Sequence, residues 1–262
     1  MTTYTYEPAP ARPRRRWGRR LLIIFIVLVV VLGGLLLVAD RVAASVAERA
    51  ISDEIAKELV AQEVTSSAPD VSVGGFPFLT QVLSGKYESI KIGLRDLEGN
   101  VEGEGVRVPR LDVDARDVSA PLETIRNGQG DVVAQTVNGT ATIAYASVVA
   151  LMDRPGLRLS ERDGGLFVTA PLEIAGQRIT VSGTAQLSIA EGRVQIRFRD
   201  LTTDGLPQLP GAEAVVNQYA QQISISLALP ELPFKLDLKE VEARSDGLAV
   251  NAQALNVALN QW

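Results

Sequence analysis

The chain has 262 residues and a net charge of −5, with neither cysteine nor histidine and only 5% aromatic side chains. Those absences remove disulfides, thiolate catalysis, cysteine-bound metal centres, the Ser-His-Asp triad and the commonest transition-metal ligand. The first twenty residues carry six arginines against Glu7, about +5, which leaves about −10 for the remainder and argues against a nucleic-acid partner.

Residues 1–20 are rich in Pro and Arg (Arg12, Arg14, Arg15, Arg16, Arg19 and Arg20) and have nothing to bury, so they read as a disordered cytoplasmic tail. Leu21 to Ala39 follows, about nineteen residues without a charge. At ~1.5 Å per residue this run covers just under ~30 Å, the thickness of a bilayer core, and reads as a transmembrane helix. The positive-inside rule puts the arginine tail in the cytoplasm and residues 40–262 outside as one domain. The competing expectation is a signal peptide cleaved after Val42-Ala43-Ala44. Its apolar region would be longer than the usual ~7–15 residues, and Asp40 and Arg41 stand just upstream of the site.

Over residues 42–62 apolar residues recur every four positions, at Ala43, Ala47, Ile51, Ile55 and Leu59, with Val46 and Ala50 beside them. That spacing predicts an amphipathic helix running on from the span. From residue 70 the period changes to two. Ile90, Ile92 and Leu94 alternate with polar residues, and Val106, Val108, Leu111 and Val113 follow, with Pro109 marking a bulge or an edge. Further strands are expected at 131–137, 140–145, 166–174, 178–189, 193–201, 234–243 and 248–256. Turns are expected at Asn138-Gly139, Gly164-Gly165, Ala175-Gly176, Glu191-Gly192 and Asp246-Gly247. Short helices are expected at 121–127, 145–153 and 212–222. The fold class is therefore α+β with a long antiparallel sheet, which must curl and be covered, and the helix at 42–62 is the only element long enough to cover it.

The most distinctive stretch is Pro69 to Ile92, PDVSVGGFPFLTQVLSGKYESIKI, with a short strand, a glycine break, three large apolar groups around Pro77 and one helical turn at Thr80–Leu83. Together with GVRVPRLDVDARDV (Gly105 to Val118) and PFKLDLKEVEARSDGLAVNAQALNVAL (Pro233 to Leu259), it resembles the actinobacterial LmeA-like phospholipid-binding proteins. The resemblance implies a tubular lipid-binding (TULIP-like) architecture, a curled sheet wrapped around a helix with an apolar groove for acyl chains. It also implies a place in the cell envelope, with a phospholipid, a phosphoinositide or a lipid-linked glycan as partner. The chain lacks the lipidation cysteine of some members, and its span would serve as the anchor instead.

On that resemblance Phe76, Phe78, Leu79, Val82 and Leu83 are expected to line the groove, and Val46, Ala50 and Ile51 join them from the helix pattern. Phe78→Asp is then expected to remove bound lipid and leave the sheet folded. Arg197 and Arg199, with Arg193, share one face of a strand and are candidates for a headgroup contact, against the plainer expectation of a solvated outer face. Asp112, Asp114 and Asp117 lack the glycine-centred loop of an EF-hand. Ser84-Gly85-Lys86 has Thr80 where a phosphate loop needs glycine, and no G-x-S-x-G occurs. No cofactor and no enzymatic activity are expected. The runner-up reading is a non-catalytic scaffold ectodomain that binds another envelope protein.

Overall fold

The computed structural model describes residues 17–259, except 102, 128–129, 153–155, 175–176, 204–217, 219, 221–224 and 228–235. Helix α1 (Trp17–Ala61) runs unbroken through the apolar run and the amphipathic segment. Its apolar half, 21–39, is exposed on nearly every side and is long and apolar enough to cross a membrane.

Beyond α1 lie β1 (Asp70–Gly74), α2 (Phe78–Ser84), β2 (Lys86–Val101), β3 (Glu104–Ser119), α3 (Leu122–Asn127), β4 (Val133–Ile143) and α4 (Tyr145–Leu151). Then come β5 (Arg158–Arg162), β6 (Gly165–Ile174), β7 (Gln177–Ala190), β8 (Arg193–Thr203), β9 (Ile225–Leu227), β10 (Asp237–Arg244) and β11 (Gly247–Ala258). Among the described residues every strand pairing is antiparallel. The strands form two sheets where one was expected, in the orders β1-β2-β3-β4-β11-β10 and β5-β6-β7-β8-β9.

Asn138-Gly139 was expected to close a hairpin, but both residues lie inside β4. Gly139 faces Val113 on one side and Ala252 on the other, and Asn138 Oδ1 accepts a hydrogen bond of 3.0 Å from Gln253 Nε2. A hairpin signature operates only where the chain is free to reverse, and here two neighbouring strands hold it extended. Glu191-Gly192 does turn, with φ of +53° and +68°, whereas the turn expected at Gly164-Gly165 falls one residue earlier, at Asp163-Gly164, with Gly165 already in β6. At Gly247 the backbone of Ile143 approaches so closely that no side chain would fit. The expected turn at Ala175-Gly176 and most of the expected helix at 212–222 lie outside the described residues.

The six-stranded sheet bends at two rows. In an ordinary strand, buried residues recur every second position. Here core-facing residues recur after three, at Tyr87 and the half-buried Ile90, Ala115 and Val118, Ala134 and Val137, and Ala254 and Val257. All four strands slip together, so the ladders keep their register. The slip is made by Asp117 (φ +50°) in β3 and Asn256 (φ +52°) in β11, in the left-handed region that Asp and Asn tolerate best. A second slip lies where Asp96 (φ +51°) stands beside Pro109, next to the last β3–β4 pair, Arg110 and Thr142. The edge or bulge expected at Pro109 is this corner.

Two apolar cores result. Under the five-stranded sheet, a closed core gathers Leu166, Val168, Val181, Val194 and Ile196 with Val148 of α4 and Leu248 of β11. Under α1, a second core gathers Ala44, Val73, Phe78, Tyr87, Ala115, Val118, Ala120, Ala134, Val137, Ala254 and Val257. Its small side chains let the helix approach the sheet.

Candidate functional site

The C-terminal half of α1 (40–61) is tied to the sheet along one line of side chains. Asp40 Oδ1 accepts a hydrogen bond of 2.8 Å from the Leu79 backbone N–H, and Glu48 Oε1 accepts one of 2.9 Å from Val73 N–H. Ser52 Oγ donates to the Pro69 carbonyl at 2.7 Å. With buried Ala44 between them, positions 40, 44, 48 and 52 form a seam at four-residue spacing. The sequence pattern did not single out these polar residues, although their spacing in an otherwise apolar stretch is the signal that marks the seam. Helix α2 begins after Pro77, which offers no capping side chain, so Asp40 of α1 caps it instead. Gln81 locks its other side, donating to the Gly74 carbonyl at 3.1 Å and accepting from Glu88 N–H at 2.9 Å. The helix ends at Gly85 (φ +65°), where the Pro121 backbone leaves no room for a side chain.

Beside the seam, α1 stands off from the ends of β4 and β11. The gap is an open cavity of about 870 Å³ lined by Ala50, Ile51, Ile55, Val132 and Leu259, with Glu54, Glu58 and Gln62 along the helix edge. Val132 and Leu259 close its floor through a hydrogen bond of 2.7 Å from Leu259 N–H to the Val132 carbonyl. The size lies within the range of small-molecule pockets, and the walls are mainly aliphatic. Among the described lining residues there is no cation, and the neighbouring Lys57 is paired with Glu54 at 3.1 Å. The described walls can therefore take a hydrocarbon chain, and among the described residues they offer no cation to a phosphate.

The expected groove residues divide. Ala50 and Ile51 line this cavity. Phe78 is 6% exposed and packs against the Tyr87 ring at 6.3 Å, where burial also raises the Tyr87 phenol above its ordinary pKa; Val82 packs on the same core. An aspartate at 78 would place a charge in that core, so Phe78→Asp reports on folding before it reports on lipid. Phe76 lines a separate cleft of about 570 Å³ with Gln81, Lys86, Tyr87, Glu88 and Asp117. Val46, Leu79 and Leu83 face outward. Arg193, Arg197 and Arg199 are exposed on the outer face of β8, while Val194, Ile196 and Phe198 between them are buried, and Arg197 donates to Gln195 Oε1 at 2.8 Å. Asp112 and Asp114 pair with Arg110 and Arg116. Among the described residues no group of three or more potential metal ligands gathers.

Ile55, Glu54, Glu58 and Gln62 were within the legible helix but not singled out for the site. Val132 and Leu259 carry no local signal, because only the long-range pairing of β4 with β11 sets them side by side.

Residues 38–253 match the family described as LmeA-like phospholipid-binding. The chain belongs to that family. No curated protein and no solved structure matches the chain. The family is a phospholipid-binding one. The LmeA-like match begins at Val38, so it takes in the Asp40 seam, α2 and most of the cavity wall, while Leu259 lies just past its end.

Proposed function

We propose that this chain is a membrane-anchored, lipid-binding protein of the cell envelope that holds a phospholipid's acyl chain in the cavity between α1 and the six-stranded sheet. In this reading 1–20 is the cytoplasmic tail, 21–39 the anchor and 40–262 the lipid-binding domain outside. The observation that carries it is the aliphatic cavity itself, in a chain of a phospholipid-binding family. Each methylene buried contributes ~0.8 kcal/mol, so even half an acyl chain would be held firmly. The headgroup stays at the rim. There Glu54, Glu58 and Gln62 offer acceptors for the hydroxyls of an inositol or glycan head, whose phosphate would have to lie away from these carboxylates. Retention of the apolar segment is supported by the seam. Cleavage before Ser45 would remove Asp40 and Ala44, the cap of α2 and a buried contact of the core.

The test is photocrosslinking of the full chain in nanodiscs containing a phospholipid with a diazirine in its acyl chain, followed by peptide mapping. Adducts on Ala50–Ile55, Val132 or Leu259 are expected. Adducts confined to 21–39 would sink the cavity reading and favour the scaffold ectodomain.

A further inference from the structure

Helix α2 has an apolar side that the fold does not use. Phe78 and Val82, four residues apart, point into the core, whereas Leu79 and Leu83, at the same spacing, point out and are 38% and 81% exposed. Phe76, three residues before Leu79, is 55% exposed. Apolar groups gathered in this way on a seven-residue helix need a non-aqueous neighbour.

The place of α2 says what that neighbour is. Its second residue is hydrogen-bonded to Asp40, the residue directly after Ala39, the last of the apolar run, and the Arg41 guanidinium lies 5.4 Å from the centre of the Phe76 ring. The loop and helix 76–83 are thus fastened to α1 at the level where the apolar half ends. When 21–39 fills a bilayer, that level is the headgroup region, and interfacial elements sink ~5–10 Å into it. Aromatic and basic residues are the usual pair at this depth.

We infer that Phe76, Leu79 and Leu83 form a foot inserted in the outer lipid surface beside the span, with Arg41 at the phosphate level. The occupant is the lipid bilayer, not a second copy or another protein, because the patch is continuous with the segment the bilayer must already cover. The inference rests on the anchor reading of 21–39. A span alone leaves the domain free to tilt, and a second contact at α2 would fix its attitude over the membrane.

The chain has no cysteine, so single nitroxide labels can be placed without background. The full chain would be reconstituted in nanodiscs of phosphatidylcholine and phosphatidylglycerol with labels at Leu83→Cys, Val30→Cys or Val60→Cys. Collision rates with oxygen, which enters lipid, and with a water-soluble nickel chelate are then compared. Val60 is 75% exposed and lies ~30 Å further along α1 than Ala39, so it reports water. The expected result is an oxygen-to-nickel ratio at Leu83→Cys that is inverted relative to Val60→Cys and has the sign seen at Val30→Cys. A lipid signal at position 30 with a water signal at 83 overturns the foot and leaves the anchor standing. Water signals at both positions overturn the two together. A lipid signal at 83 with a water signal at 30 removes the anchor, and with it the span beside which the foot is placed, so it overturns the inference as well. Low collision with both reagents at 83, as at a protein contact, overturns the foot as well.

Discussion

Under the five-stranded sheet, Leu166, Val168, Val181, Val194 and Ile196 are at most 1% exposed, and their branched side chains fill the space they enclose. Under α1, alanine supplies Ala44, Ala115, Ala120, Ala134 and Ala254, and the helix that covers them leaves an open cavity of about 870 Å³ beside them. The two cores belong to one chain, yet one is closed and the other is a cup. Side-chain volume decides the difference: large branched residues fit a sheet against a sheet, whereas alanines under a helix seamed along one line leave the space beside it open. Stability should therefore reside mainly in the first core and ligand capacity in the second.

The largest test of that division is Leu166→Ala. It should cost about 2–5 kcal/mol in denaturant unfolding and leave lipid capture per folded molecule unchanged. A parallel fall in capture would mean that the two cores are one unit. Ile55→Asp should do the reverse. Losing about two buried methylenes lowers acyl-chain affinity roughly tenfold, read as the yield of the cavity crosslink, with little change in the unfolding midpoint because Ile55 is only half-buried.

Next in size is the seam. Asp40→Ala strips the Leu79 N–H of its acceptor and should cost about 1–2 kcal/mol, with hydrogen exchange at Leu79 and Thr80 rising first. Asp40→Asn keeps an acceptor and should recover most of the loss; equal damage from both would show that the charge, not the cap, holds α2. At the bend, Asp117→Ala places alanine at φ +50° and should cost about 1 kcal/mol, whereas Asp117→Gly should cost nothing measurable. If both are silent, the corner is set by packing alone.

The smallest effect is a pH dependence in the closed core. Tyr145 packs on it and donates to the Arg244 carbonyl at 2.7 Å; burial first, and the charge of Glu161 second, push its phenol up to about 12. The unfolded phenol ionises near pH 10. Its contribution is thus present below that pH and is lost as pH rises from about 10 to about 12. In Tyr145→Phe the alkaline fall in melting temperature should be shallower over that window.

Much of this was legible in the amino-acid pattern. The charge-free run from Leu21 to Ala39 and the four-residue recurrence through Leu59 both fall within α1, and GFPFLT marks the entry into α2. The family resemblance at Pro69–Ile92 lies within the matched region. Other features were not legible, for reasons of range. The division into two sheets depends on which strands meet, and alternation within one strand says nothing of its neighbour. The corners at Asp117 and Asn256 were written as a three-residue gap in the apolar pattern, which a period-two reading passes over. The cavity floor needs Val132 beside Leu259, and no local rule joins residues so far apart in the chain.

An unbroken α1 also sets an angle. An α-helix turns ~100° per residue, so the compass direction in which the cavity faces is geared to the face of the apolar half below it. One alanine inserted before Val38 would swing the whole domain ~100° and raise it only ~1.5 Å. Seven would lift it ~10 Å but return it to within ~20° of its first bearing. Any neighbour that grips both the apolar half and the domain should tolerate the second insertion better than the first, so the helix acts as a spindle for the domain.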